Sequence, residues 1–381
     1  MVSLIIVIYI IFISLGLPDS LFGTAWPLVH LDMDVPLSFA SIYTIIVSIC
    51  TSFINFVAGK LIRKIGTGLI TFLSICFTII GMVGISFAPN IWVMMFFSML
   101  LSLGGGVIDT ALNNYVSIHY SAKHMSWLHC FWGVGVTMSP IIISFFMAKG
   151  EWRSGYRAIA LIQSLIAALA FVNIKNWKNI TPVANVERKE TGKRPTVKNN
   201  KALLFSYLSM AFYTTIEFVA ATWFASYLVK YMQLTPDVAA RWVSLYFGGI
   251  MLGRLTSGFI SDAVGDKRMI MYGVLLSMFG MFSVMLSTHA STMAGMFIIG
   301  LGFAPVFPSV IHAIPSRFGV EYAVDLTGFH MGIAYVAGFT SQAIFGFLAT
   351  ATGFVIMPYY MIIFAICSGA CNLLVYKFLK K

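Results

Sequence analysis

Three carboxylates, Asp19, Asp109 and Glu217, fall inside stretches that are otherwise apolar and long enough to cross a bilayer. An ionisable side chain at that depth costs roughly 3 kcal/mol on insertion scales, so it is expected to face a bundle interior or a water-filled cavity. There it can bind a polar solute, carry a proton, or do both. Proton carriage suits a carboxylate because dry surroundings favour its neutral form and contact with water favours its charged form.

The neighbours of each acid narrow the chemistry. Asp109 and Asn113 are four residues apart in Gly104-Gly-Gly-Val-Ile-Asp109-Thr-Ala-Leu-Asn113-Asn114, so they share a helix face. A carboxylate beside an amide offers both acceptors and donors, which suits a hydroxylated solute. The other reading of Asp109 is a protonated hydrogen-bond donor between helices. Asp19 follows Pro18, which lacks a backbone donor and frees a carbonyl beside the acid. Trp26 is two helical turns further on. It suits stacking on a sugar ring and equally suits anchoring at a membrane interface. Tyr213 and Glu217 share a face, and Trp223 lies further along the same run. His312 follows Gly300-Leu-Gly302-Phe-Ala-Pro305-Val-Phe-Pro308 and falls at the repeat position of Asn114. It could contact a solute or relay a proton, although a lone His is more often a packed hydrogen-bonding residue.

These residues need long helices to hold them, and the composition supplies them. The chain of 381 residues is 59% hydrophobic and only 10% charged, against about 25% charged in soluble domains. It is expected to be an all-α integral membrane protein. Apolar runs of about 20 residues give twelve transmembrane helices, near 4–28, 37–60, 67–88, 91–118, 126–148, 155–174, 202–229, 239–261, 269–288, 291–313, 326–349 and 356–377. The first has no basic leader and no small-residue cleavage site, so it reads as a span and not as a signal peptide. The five cysteines all fall in apolar runs and read as packing residues.

The polar stretch 175–201 carries eight Lys/Arg and reads as a basic cytoplasmic linker. It divides the chain into a six-helix half at 1–174 and another at 202–381. The halves repeat: Asp19 and Glu217, and Gly104 and Gly302, are each 198 residues apart, while Gly59 and Gly66 match Gly258 and Gly265 at 199. An even number of spans per half implies pseudo-symmetry about an axis along the membrane normal, an arrangement found in transporters with a midplane site. With the N-terminus inside, 19 of the 24 Lys/Arg fall at cytoplasmic ends. The positive-inside rule then places both termini in the cytoplasm. It also accounts for the net charge of +11 without nucleic acid.

Gly258-Phe-Ile-Ser-Asp262-Ala-Val-Gly265-Asp-Lys-Arg268 resembles the cytoplasmic loop signature of the major facilitator superfamily. Its first-half copy is Gly59-Lys-Leu-Ile-Arg63-Lys-Ile-Gly66, with Arg63 where the signature has Asp. The resemblance implies a conformational gate built from Gly59, Arg63, Gly66, Arg254, Gly258, Asp262, Gly265 and Arg268, with the second copy carrying most of the lock. Asp109-Thr-Ala-Leu-Asn113 resembles span 4 of the fucose permease branch. Leu128-His-Cys-Phe-Trp132-Gly133 with Ser139-Pro140 resembles span 5 of that branch, with Ser139 in place of a glycine. That branch uses one acid in span 1 and one in span 4 for sugar binding and proton coupling, which implies those roles for Asp19 and Asp109.

The expected function is secondary active transport of a small hydroxylated solute, a sugar by preference, coupled to protons by alternating access. Asp19 and Asp109 would couple protons. Trp26, Asn113, Asn114, Tyr213, Glu217, Trp223 and His312 would join them in holding the solute. The alternative is efflux of amphipathic or drug-like compounds, to which 33 Phe and 22 Met would suit a loose pocket. A non-transporting sensor would want a larger cytoplasmic domain than the short linker and tail offer. The chain has no nucleophile–base spacing, phosphate loop or metal-ligand cluster, so no enzyme activity, cofactor or metal is expected. His119, His124 and His129 recur every five residues, which matches no metal-binding helix face. A monomer in a bacterial cytoplasmic membrane is expected, with the lipid bilayer, protons and the solute as its partners.

Overall fold

The computed structural model describes residues 4–120, 122–177, 201–319 and 323–379. The centre of the expected linker lies outside these residues. The described chain is helical: α1 (Leu4–Asp19), α2 (Leu21–Asp32), α3 (Phe39–Ile65), α4 (Thr67–Phe87), α5 (Ile91–His119), α6 (Ala122–Met147), α7 (Trp152–Val172), α8 (Lys201–Lys230), α9 (Pro236–Val264), α10 (Asp266–Met285), α11 (His289–Phe303), α12 (Val306–His312), α13 (Ile314–Phe318), α14 (Ala323–Thr352) and α15 (Met357–Leu379). Eleven of the resulting runs are long and apolar enough to span a membrane, and Phe39–Asn55 adds a shorter apolar stretch at the start of α3. This is a multi-pass membrane protein. Large apolar side chains stand exposed along the helices, among them Phe145, Leu165, Phe279 and Ile363, as a hydrocarbon solvent allows.

Two runs are broken. The first span divides at Ser20, directly after Asp19, where Pro18 lies in the last turn of α1. The tenth divides at Ala304-Pro305, between α11 and α12. The spans holding Asp109 and Glu217 are unbroken helices of 29 and 30 residues. The interruptions therefore do not fall at matching positions of the two halves, as the repeat alone suggests.

Residue contacts group the chain into two compact units, Met1–Asn185 with Phe224–Ser244, and Val186–Trp223 with Leu245–Lys381. In the first unit, α1 packs among α5, α6 and α7 through Ile11, Phe12, Leu15, Ile108, Leu128 and Ile166. Gln163 of α7 ties three helices: it donates to Ser14 O (2.6 Å) and accepts from Thr78 (2.6 Å). In the second unit, Ser209 of α8 and Ser368 of α15 donate to each other's carbonyl oxygens at 3.0 and 2.9 Å. Ser206 and buried His330 hydrogen-bond at 2.8 Å.

The same close crossing is built in both units. A Cβ on Gly104 would lie 2.5 Å from Ser74 O, and one on Gly81 would lie 2.8 Å from Leu101 N. In the second unit, a Cβ on Gly302 would lie 2.4 Å from Ser277 Oγ, and one on Gly280 would lie 2.8 Å from Ile299 N. Small residues let helix backbones approach in a membrane, where packing replaces the hydrophobic drive. Gly66 and Gly265 take φ of +90° and +79° between successive helices. Side chains rarely adopt that conformation, so glycine at both repeat positions has a direct backbone reason.

Candidate functional site

In the first unit, the crossing of α1 and α6 brings an acid and an indole together. A Cβ on Gly16 would lie 2.3 Å from Trp132 O, and one on Gly135 would lie 2.2 Å from Ile13 O, so only glycine permits this approach. Ser20 donates to Val136 O at 2.9 Å and fixes the register beside the break. Trp132 Nε1 then donates to Asp19 Oδ2 at 2.7 Å. Asp19 remains exposed, so a span-depth carboxylate is both held and reachable. From sequence, Trp132 has no role beyond the span 5 motif. Its signal is present only in hindsight, as an indole donor on a helix with a glycine three residues later.

Asp109 stands on α5, which packs against α1, the helix that ends at Asp19. Asn113 Nδ2 donates to Asp109 Oδ1 at 2.8 Å and to Asp109 O at 2.9 Å, so the expected shared face is present. Thr110 donates to Asn55 Oδ1 of α3 at 3.3 Å. Asn55 Oδ1 would also lie 2.9 Å from a Cβ on Gly106. Asn55 is a further polar group beside Asp109 that the sequence did not single out. The Asn114 side chain lies outside the described ones. Trp26 is fully buried and donates its indole N–H to Leu37 O at 2.8 Å, placing it in the packing of the first unit.

In the second unit, Glu217 of α8 and Arg254 of α9 form an ion pair at 3.3 Å, with side chains 17% and 15% exposed. The sequence reading placed Arg254 at a cytoplasmic helix end, within the gate. It lies within the apolar run Pro236–Ile260 and pairs with the acid. A Cβ on Gly300 would lie 2.0 Å from Tyr246 O, and one on Gly249 would lie 2.2 Å from Phe297 O. That close α9–α11 contact sets the position of α9. Tyr213, one helical turn before Glu217, is buried against Phe303. The Tyr246 hydroxyl donates to Glu217 O at 3.4 Å. The result is a half-sealed acid–base pair roofed by two tyrosines.

Two expected solute contacts stand apart from this pair. Trp223 is fully buried, donates to Gln342 O at 2.9 Å, and packs on Phe345 and Phe354. His312 has a 78% exposed side chain and pairs with Asp266 at 3.0 Å, at the start of α10. Of the remaining gate residues, Gly59 lies within α3, Gly258 lies exposed on α9, and Arg268 is exposed in the first turn of α10. The side chains of Arg63 and Asp262 lie outside the described ones.

The protein is 26% identical over 258 residues to the glucose/mannose transporter GlcP of Bacillus subtilis (strain 168), covering 63% of this chain and 61% of the relative. It is 24% identical over 310 residues to bypass of stop codon protein 6 of Saccharomyces cerevisiae (strain ATCC 204508 / S288c), covering 70% and 62%. The matches thus span less than two thirds of these relatives' length. Among solved structures, the nucleoside transporter NupG superposes with a TM-score of 0.75 at 14% identity, covering 99% of this chain and 100% of that one. A D-xylose-proton symporter superposes with a TM-score of 0.75 at 13% identity, covering 99% and 97%. At such identities these two structures show a common fold. The sequence profile of the Major Facilitator Superfamily matches residues 8–342, most of the chain, and the protein belongs to that superfamily of transporters.

Proposed function

We propose that this transporter moves a small hydroxylated solute, a sugar by preference, and couples it to protons by exposing Asp19 and Asp109 alternately to the two sides of the membrane. The observation that carries the proposal is the first unit's pair of span-depth carboxylates, one held by an indole N–H and the other by an amide. Sugar hydroxyls can donate to the carboxylates and to Asn113 Oδ1, while the Trp132 N–H is already committed to Asp19. A proton on either carboxylate cancels a charge at span depth and turns that oxygen into a donor for a sugar hydroxyl, so loading one favours loading the other. Glu217, Arg254 and Tyr213 form a second polar centre, able to accept hydroxyls when the ion pair opens.

The names of relatives favour sugar over other solutes, since GlcP is a glucose/mannose transporter and one solved neighbour a D-xylose-proton symporter. Within the superfamily, Asp19, the Asp109-Thr-Ala stretch and the Trp132 region favour the fucose permease-like branch. The proposed organisation is two six-helix halves, 1–174 and 202–381, joined by a cytoplasmic linker. The Lys/Arg distribution supports both termini on the cytoplasmic side of the cell membrane.

The test is uptake of labelled hexoses and pentoses into proteoliposomes under an imposed pH gradient. Wild type should concentrate at least one sugar. Asp109→Asn should lose concentration but keep exchange. Concentrative, gradient-driven uptake retained in Asp109→Asn would remove Asp109 from the coupling role.

A further inference from the structure

A cavity of about 380 Å³ opens in the second unit where α9 ends, α10 begins, α13 crosses and α15 finishes. Three cations line it: Lys267, Arg268 and Arg317. The guanidinium of Arg317 donates to the Tyr376 hydroxyl at 2.5 Å and lies 4.7 Å from that ring's centroid. Lys267 Nζ lies 5.0 Å from the same ring. Among the described residues none of the three cations has a carboxylate partner, and Arg317 Nε is buried with no hydrogen-bond partner. Asp266, the acid among the lining residues, is engaged by His312 at 3.0 Å. Three positive charges therefore converge with one already-paired negative charge.

The position says what could balance them. The cavity walls lie at or just beyond the ends of apolar spans, where hydrocarbon gives way to headgroups. Leu379 in the wall is 37% exposed, and Tyr272, one turn further along α10 from the cations, is 60% exposed. The first turn of α10 adds backbone N–H groups pointing towards the same end. Cationic pockets at span ends attract anionic lipid headgroups.

We propose that this cavity binds a phosphate group, with an anionic phospholipid headgroup as its source. The phosphate oxygens would meet Lys267, Arg268 and Arg317, and the acyl chains would run along the apolar surface of α10 and α15. Tyr376 holds Arg317 in place and leaves its remaining donors for the phosphate.

The experiment is native mass spectrometry of the full chain released from nanodiscs of phosphatidylcholine with phosphatidylglycerol. Wild type should retain phosphatidylglycerol in preference to phosphatidylcholine. Each charge removed near a membrane surface should weaken that preference about fivefold, so Lys267→Gln with Arg268→Gln should reduce it by more than tenfold. Both side chains are exposed, so the double variant should fold, which its melting curve checks. Arg317→Lys, which keeps the charge but loses the fork, should give an intermediate loss. In a second arm, inorganic phosphate is added to detergent-solubilised protein. If phosphate stabilises wild type and not the double variant while lipid preference is equal in both, the site takes soluble phosphate and the lipid source is wrong. If wild type and the double variant respond alike to both lipid and phosphate, the site does not exist.

Discussion

Glu217 and Arg254 offer the sharpest energetic test of the second unit. Their charged atoms are 3.3 Å apart and both side chains are largely shielded. At an effective dielectric of about 20, two unit charges at that separation attract by about 5 kcal/mol. Desolvation of each ion offsets much of this, so the pair adds little net stability. Removing one partner is different, because it strands the other charge, and typically costs about 3–5 kcal/mol. Glu217→Gln keeps the size and shape of the side chain and removes only the charge. Arg254→Met removes the guanidinium and keeps an apolar chain. Each should lower the unfolding free energy by about 3 kcal/mol, and the double variant should lose far less than the sum of the two. The expected coupling is at least about 2 kcal/mol. The assay is reversible unfolding in mixed micelles, followed by tryptophan fluorescence, on wild type, both single variants and the double variant. Effects that add to within about 0.5 kcal/mol would refute the pairing.

Gly300→Ala should destabilise the second unit by about 1–3 kcal/mol through overpacking, since the new methyl would lie 2.0 Å from a backbone oxygen. Gly258→Ala has nothing within 4 Å and should be neutral or stabilising by up to about 1 kcal/mol; equal losses in the same unfolding assay would contradict the crossing geometry. Gly66→Ala and Gly265→Ala should each cost about 1–3 kcal/mol from backbone strain alone, since φ of +90° and +79° with ψ of 146° and 149° is a region that essentially only glycine occupies, and unchanged midpoints would show the turns relax. Trp132→Phe removes the donor to Asp19, a hydrogen bond to a charged group worth about 1.5–3 kcal/mol. Sugar uptake at limiting sugar should fall about 10–100-fold with the protein still folded, and unchanged uptake would show that the indole does not prepare Asp19.

The spans were legible because run length and apolarity alone decide what crosses a bilayer. The twelve expected runs are all helical, with edges moved by a few residues, but the first and tenth are each broken into two helices and the second holds only a shorter apolar stretch. The ninth starts at Asp266 and not near 269 because Gly265, at φ +79°, ends one helix and lets the next begin at once. The break beside Asp19 had a local signal in Pro18. The cross-helix partners had none. Trp132 is 113 residues from Asp19, and Arg254 is 37 from Glu217. Their meetings follow from which glycines let which backbones touch. Helical spacing could pair Asp109 with Asn113 because that contact lies within one helix. It could not tell that Trp26 and Trp223 point into packing and that His312 turns to Asp266, since aromatic and imidazole groups serve core and site equally well. The charge count could group Arg254 with span-end cations but could not show that it pairs with Glu217, which only the packing of α8 against α9 reveals.

In the proposed symport, sugar and proton move together through Asp19 and Asp109. The most direct measurement is the internal pH of proteoliposomes, read with a trapped fluorescent dye, as single sugars are added outside with no imposed gradient. Symport predicts that one sugar class acidifies the lumen in wild type, and that Asp19→Asn and Asp109→Asn abolish the signal while folded. Uptake of a labelled sugar by wild type with no pH change, or an acidification of equal size in both variants, would contradict the account.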